Sequence, residues 1–152
     1  MAKIIIQNNI FFDYIVQLVG ASQRVELPIK GVSMYPTLRE YQDRVVLINV
    51  DSYELFVGAI LLFKYNGSYL LHRLVKIDGD NLILRGDSVH ASDQRVTRTD
   101  VVAIVESIIR DDDQLISCTD TTYKRKVRRY MLYLKFYRLY ISVKRRIVKF
   151  KK

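Results

Sequence analysis

The chain has a single cysteine, Cys118, among its 152 residues, so it cannot form a disulfide within itself. One lone thiol fits a reducing compartment. Tryptophan is absent, prolines number two and histidines two. No apolar run approaches the roughly 18–20 residues that a membrane span requires. The longest, AILLF at 59–63, is the length of a strand. The N-terminal stretch MAKIIIQNNIFFDYIVQLVG is broken by Gln7, Asn8, Asn9 and Asp13, so it lacks the uninterrupted apolar core of a secretory signal. These absences point to a cytoplasmic protein, with peripheral attachment at the inner face of the cytoplasmic membrane as the further option. Acidic residues are also missing from one whole region: none follows residue 120, where 13 of the 25 Lys and Arg residues lie. The remaining 12 cations share residues 1–120 with all 16 acids, which makes a mildly acidic body with a strongly basic tail.

What is present reads as one globular unit, since hydrophobic residues make up 49% of the chain. The division expected is a domain over 1–120 and a helical tail over 121–152. A short amphipathic helix is expected over 8–20, capped by Asn8 or Asn9. Strands follow in RVELPIK, where Pro28 suggests a sheet edge, and in RVVLIN (44–49), AILLFKY (59–65), YLLHRLVKI (69–77), NLILR (81–85), VVAIVESII (101–109) and QLISC (114–118). Asn66-Gly67 and Asp78-Gly79-Asp80 are hairpin turn signals. Short strands at this spacing imply a mainly β, closed or folded antiparallel structure.

Ser33, in GVSMYPTL, is either a turn residue or a nucleophile, and a serine hydroxyl becomes a nucleophile only when a base takes its proton. His72, in YLLHRLV, shares a strand face with Leu70 and Leu74 while Arg73 points the other way. An imidazole among leucines stays neutral, as a general base must near pH 7. Read locally, the pattern favours a half-buried histidine that hydrogen-bonds something structural. His90 lies in the polar loop RGDSVHASDQR and reads as exposed. Asp87 and Asp93 of that loop are either turn formers or carboxylates able to orient an imidazole.

Taken in order, GVSMYPTL, FKYNGSYLLHRLVKIDGD and RGDSVHASDQR resemble three boxes of the signal-peptidase-like serine peptidases, the group that includes the peptidase domains of self-cleaving repressors. The resemblance covers roughly residues 25–108. It implies a convoluted antiparallel β-barrel or coiled sheet and a serine endopeptidase that cuts a leader or signal segment from a small exported or modified peptide. Where many members have a lysine before the arginine of the second box, this chain has His72, as do the endoplasmic-reticulum and archaeal types. The implied set is Ser33 as nucleophile, His72 as base and Asp93 as orienting acid, with Asp87 as second choice and Lys64 set aside. Gly31, Met34 and Pro36 belong to the nucleophile motif, and Gly31 stands where some members place a hydroxyl that helps the oxyanion hole. The implied substrate is a peptide or protein bound as an extended strand, and no cofactor or metal is expected. A catalytically inactive peptide-binding or membrane-adaptor protein of the same fold is the alternative. A self-cleaving repressor relative would need a DNA-binding domain.

In the tail, helical periodicity gathers Val127, Tyr130, Met131, Leu134, Tyr137, Ile141 and Val148 on one face. Arg128, Lys135, Arg138, Arg145 and Lys149 fall largely opposite. Aromatics interleaved with cations suit a membrane surface. Packing against the body is the competing expectation. Nucleic acid is not expected, because nothing else resembles a nucleic-acid module.

Overall fold

The computed structural model describes residues 8–150 except Val89 and Asp112, and the side chains of residues 10–146. An N-terminal helix, α1 (Asn8–Gly20), sends Ile15 and Val19 into the core. The capping side chains expected of Asn8 and Asn9 lie outside the described ones. The strands are β1 (Val25–Pro28), β2 (Arg44–Asn49), β3 (Ile60–Tyr65), β4 (Ser68–Asp78), β5 (Asn81–Arg85), β6 (Asp93–Thr97), β7 (Val101–Arg110) and β8 (Gln114–Ser117), followed by a long helix, α2 (Thr121–Phe150).

All eight strands join one antiparallel sheet in the order β1-β2-β7-β3-β4-β5-β6, with β8 paired to β7. The path is open, with β1 and β6 at its edges, so the closed form of the expectation is not met. β1 pairs only with β2, which lets Pro28 sit where its missing N–H costs no ladder bond. The β3–β4 turn uses Asn66 and Gly67, both at positive φ, as a two-residue hairpin of this twist requires. One strand was not legible: β6 runs through Asp93–Thr97, where the sequence reads as a polar loop. It is an edge strand that buries only Gln94 and Val96, and its outer residues are all polar.

Two apolar clusters share β3 as a common wall. Ile60 and Leu62 face the first cluster with Ile15, Val45, Leu47 and Val105. Leu61 and Phe63 face the second with Leu74, Leu82, Leu84 and Val96. A strand buried on both faces has no polar side, which explains the unbroken run AILLF. Burying a leucine or phenylalanine contributes about 1.5–3 kcal/mol, so this strand is a main anchor of the fold.

Helix α2 starts at the expected boundary. Asp120 caps it, accepting from the Tyr123 N–H at 2.6 Å through Oδ1. The helix is not detached from the body: Val127 and Leu134 are buried, and Tyr130, Met131 and Ile141 are partly so. Gly58, at φ +110°, makes the approach possible, since a Cβ there would collide with Val127. The face expected to meet lipid is therefore the face that meets the protein. Val148 and the Lys149 side chain lie outside the described side chains. Among the described residues, no helix is long and apolar enough to cross a membrane.

Candidate active site

Ser33 lies in a tight loop between β1 and β2. The Tyr35 N–H donates to the Val32 carbonyl at 3.1 Å and the Leu38 N–H to the Met34 carbonyl at 3.0 Å. Met34 and Leu38 plug into the first core cluster and anchor the loop from below. Pro36 follows a cis peptide bond. Gly31 has φ +89°, and its N–H is taken by the Glu40 carboxylate at 2.7 Å. That leaves the Ser33 N–H, which has no partner among the described residues, as the free donor beside the hydroxyl.

The loop's far end is clamped by ions. Asp43, almost fully buried, accepts from the Arg39 N–H at 2.8 Å and from its guanidinium at 2.7 Å, and it meets Arg110 at 3.3 Å. Burial alone would raise the Asp43 pKa, but the hydrogen bonds from Arg39 and Arg110 outweigh it and hold the carboxyl below its ordinary range. Arg110 also donates to the Thr37 carbonyl at 2.7 Å.

Two other stretches converge on this loop. The Ser88 N–H donates to the Ser33 carbonyl at 2.9 Å, and a Cβ on Gly86 would collide with that same oxygen. Only glycine allows the two loops to lie so close. Arg73, next to His72 in β4, pairs with Arg85, next to Gly86 at the end of β5. The Ser33 loop, the Gly86–Ser88 loop and strand β4 are therefore neighbours. No hydrogen bond joins the Ser33 hydroxyl to His72. Such bonds are commonly long without substrate and tighten on binding.

His72 faces the second cluster beside Leu74, as its strand alternation predicts, and its ring lies 6.0 Å from that of Phe63. Its Nδ1 is 2.7 Å from Oε1 of Gln94, while the Gln94 amide nitrogen turns to Ser92 Oγ at 3.3 Å. An amide oxygen only accepts, so neutral His72 carries its proton on Nδ1 and keeps the lone pair on Nε2. Nε2 has no hydrogen-bond partner among the described residues. Burial lowers the His72 pKa below its ordinary value, and the bond to Gln94 and the charge of Asp87 only partly offset this. The imidazole is neutral, of one tautomer, and able to accept a proton.

The expected contact between His72 and Asp93 is not made. Asp93 is exposed on the outer face of β6 and pairs with Arg85, whose hydrogen bond holds its pKa down. Gln94, its neighbour, points inward. Alternation separates the two by a whole sheet face, so Asp93 cannot reach the ring without a shift of register.

Asp87 is also occupied elsewhere. It sits on the opposite side of β4 in a bidentate pair with Arg73, at 2.8 Å to Nε and 2.6 Å to Nη2, with both residues almost fully buried. Thr37 Oγ1 donates to the same carboxylate and accepts from Arg73 Nη2 at 3.2 Å. Arg73 further donates to the Gly58 carbonyl at 2.7 Å and to the Tyr123 hydroxyl at 3.3 Å. Burial would lower the Arg73 pKa, but Asp87 more than offsets it. Asp87 thus ties the Ser33 loop, strand β4 and its own loop together. Tyr123 and Tyr130 of α2 cover this pair from solvent.

Two cations expected on the outer side of the tail instead face the body. Arg138 Nη2 donates to the carbonyls of Gly86 at 2.8 Å and Ser88 at 3.0 Å. Arg145 lies 3.0 Å from Nδ1 of His90, which is exposed as expected. Arg128 and Lys135 are exposed, as expected. Thr37 and Gln94 join the site without standing out as candidates in the sequence. For Gln94 a signal exists, because alternation from Val96 places it inward.

The segment Tyr69–His72 pairs with β3 on one side, and among the described residues no strand pairs with its other side, since β5 begins pairing at Arg73. Among the described residues no group of three His, Cys, Asp or Glu side chains is placed to hold a metal ion. No protein-family model matches the chain, and no curated protein is significantly similar to it.

Proposed function

We propose that the protein is a serine endopeptidase of the signal-peptidase-like type, cutting a leader or signal segment from a small exported or modified peptide. The observation that carries this reading is the state of His72: buried, neutral, fixed as the Nδ1–H tautomer by Gln94, and adjacent to Arg73, which pairs with the neighbour of Gly86, the glycine packed against the Ser33 carbonyl. The antiparallel sheet with its flanking helices is compatible with the convoluted β fold of that family.

Ser33 Oγ adds to the scissile carbonyl carbon while its proton passes to Nε2 of His72. The carbon–nitrogen bond breaks, and His72 gives that proton to the departing amine. Water then attacks the acyl-Ser33 ester, losing a proton to His72, and the proton returns to Ser33. The Ser33 N–H receives the developing oxyanion. The orienting role assigned to Asp93 passes to Gln94. A neutral amide cannot stabilise the imidazolium as a carboxylate does, so the charge of Asp87 supplies that stabilisation from the other side of β4. Substrate adds as an extended strand along Tyr69–His72, on the side of β4 away from β3.

The test is to incubate the full chain with a diverse synthetic peptide library and map new termini by mass spectrometry. Cleavage next to small residues is expected, lost in Ser33→Ala and in His72→Ala while both variants stay folded. Identical cleavage by Ser33→Ala would sink the proposal, as would none by the wild type. A peptide-holding adaptor of the same fold is the second reading. It is favoured by the missing Ser33–His72 hydrogen bond and by the amide, rather than a carboxylate, on Nδ1. Peptides retained uncut by the wild type would support it.

A further inference from the structure

With one face of α2 committed to the body, the opposite face carries a second, independent stripe. Leu132, Phe136, Leu139 and Val143 follow the spacing i, i+4, i+7, i+11 and are 57%, 61%, 60% and 47% exposed. Tyr133 and Tyr140 run beside them, also exposed, and Tyr137 bridges the two rings at 5.8 and 6.5 Å. Cations border the stripe on every side. Arg128, Lys135 and Arg146 lie along one flank, Lys126 and Lys144 along the other, and Arg125 and Arg129 at the N-terminal end, all exposed. Among the described residues, no carboxylate forms an ion pair with any cation of α2.

We propose that this outward stripe of α2 docks the protein flat on an anionic lipid surface, with the apolar chains entering the headgroup boundary and the bordering cations meeting lipid phosphates. An apolar stripe left in water needs a cover. The charge selects which one. A second copy of α2 would bring eleven cations and no acid against eleven more. A nucleic-acid backbone would match the charge but would leave the aliphatic centre of Leu132, Leu139 and Val143 against phosphates. Anionic lipid satisfies both the border and the centre. Because Arg138 grips the Gly86 and Ser88 carbonyls from the inward side of the same helix, docking would hold that loop about one helix diameter, roughly 10 Å, above the surface.

The experiment measures binding of the full chain to vesicles of phosphatidylcholine with 30% phosphatidylglycerol, and to pure phosphatidylcholine. Wild type should partition onto the anionic vesicles at low salt. Phe136→Asp/Leu139→Asp should weaken partitioning about tenfold or more, since both apolar insertion and charge are lost. Both side chains are exposed, so an unchanged melting temperature is expected. Arg128→Glu/Lys135→Glu should weaken binding to anionic vesicles and leave any residual binding to the neutral ones unchanged. Failure of the wild type to bind anionic vesicles overturns the proposal, as does equal binding by the Phe136/Leu139 variant. A wild-type dimer returned to monomer by that variant, without vesicle binding, overturns it in favour of self-association. Tighter binding to a single-stranded oligonucleotide than to the vesicles overturns it in favour of nucleic acid. None of these readouts depends on peptidase activity.

Discussion

His72 and Arg73 are neighbours on one strand and occupy opposite electrostatic worlds. On the His72 side the neighbours are leucines, Phe63 and one amide, and burial keeps the ring uncharged. On the Arg73 side, burial is deeper, yet the charge persists because a carboxylate, a carbonyl and two hydroxyls surround it. Burial destabilises any charge; what differs is whether the fold supplies a partner of opposite sign. The difference gives each side its task. A neutral imidazole is able to take up a proton, and a buried ion pair holds loops together.

The contrast breaks most sharply at Asp87. Asp87→Ala leaves Arg73 buried without its counter-charge, and losing one partner of a buried pair costs about 3–5 kcal/mol. Urea unfolding should show this loss, and a change under 1 kcal/mol would mean that the pair is not sealed by α2. Next in size is Gln94→Leu. The His72 Nδ1–H then loses its acceptor inside an apolar wall, at about 1–3 kcal/mol. The tautomer should become mixed, which ring nitrogen shifts in NMR would report. A pure Nδ1–H tautomer in that variant would show that Gln94 does not set it.

A third effect is a pH dependence. Because the folded His72 pKa is lowered, the unfolded chain binds its proton more readily. The stability linked to His72 is fully present above the unfolded value of about 6.5 and is lost as pH falls from there through the folded value. Asp43 and Asp93, held down by arginines, lose theirs only at lower pH, below the ordinary carboxylate range. Acid titration of stability should therefore show two steps, the upper one missing in His72→Gln. If cleavage is found, the acid limb of kcat/KM should also lie below about pH 6.5. The smallest effect belongs to Asp93→Asn. Its pair with Arg85 is solvent-exposed, and such pairs contribute about 0–1 kcal/mol. Activity should hold within a few fold; a loss as large as that of His72→Ala would restore Asp93 to the catalytic set.

Much of the fold is legible in the residues. The strands RVVLIN and NLILR and the helix over 8–20 match the observed elements, because each carries its own periodicity and turn signals. β6 is not legible, since an edge strand with one polar face resembles a loop. The tail shows the opposite difficulty. Its apolar residues surround nearly the whole helix, and periodicity alone does not say which arc meets the body.

The sequence by itself determined that Ser33 stands in a tight loop, that His72 faces leucines and Arg73 does not, and that charge is segregated after residue 120. These are consequences of local order: turn chemistry, a period of two, and composition. Only the tertiary structure decided the partners. Gln94 rather than Asp93 meets His72, Asp87 closes on Arg73 and Thr37, and Arg138 turns inward to the Gly86–Ser88 loop. Each contact joins stretches well apart along the chain, and its choice depends on sheet register and on which side of a strand a loop lands, neither of which a local pattern encodes.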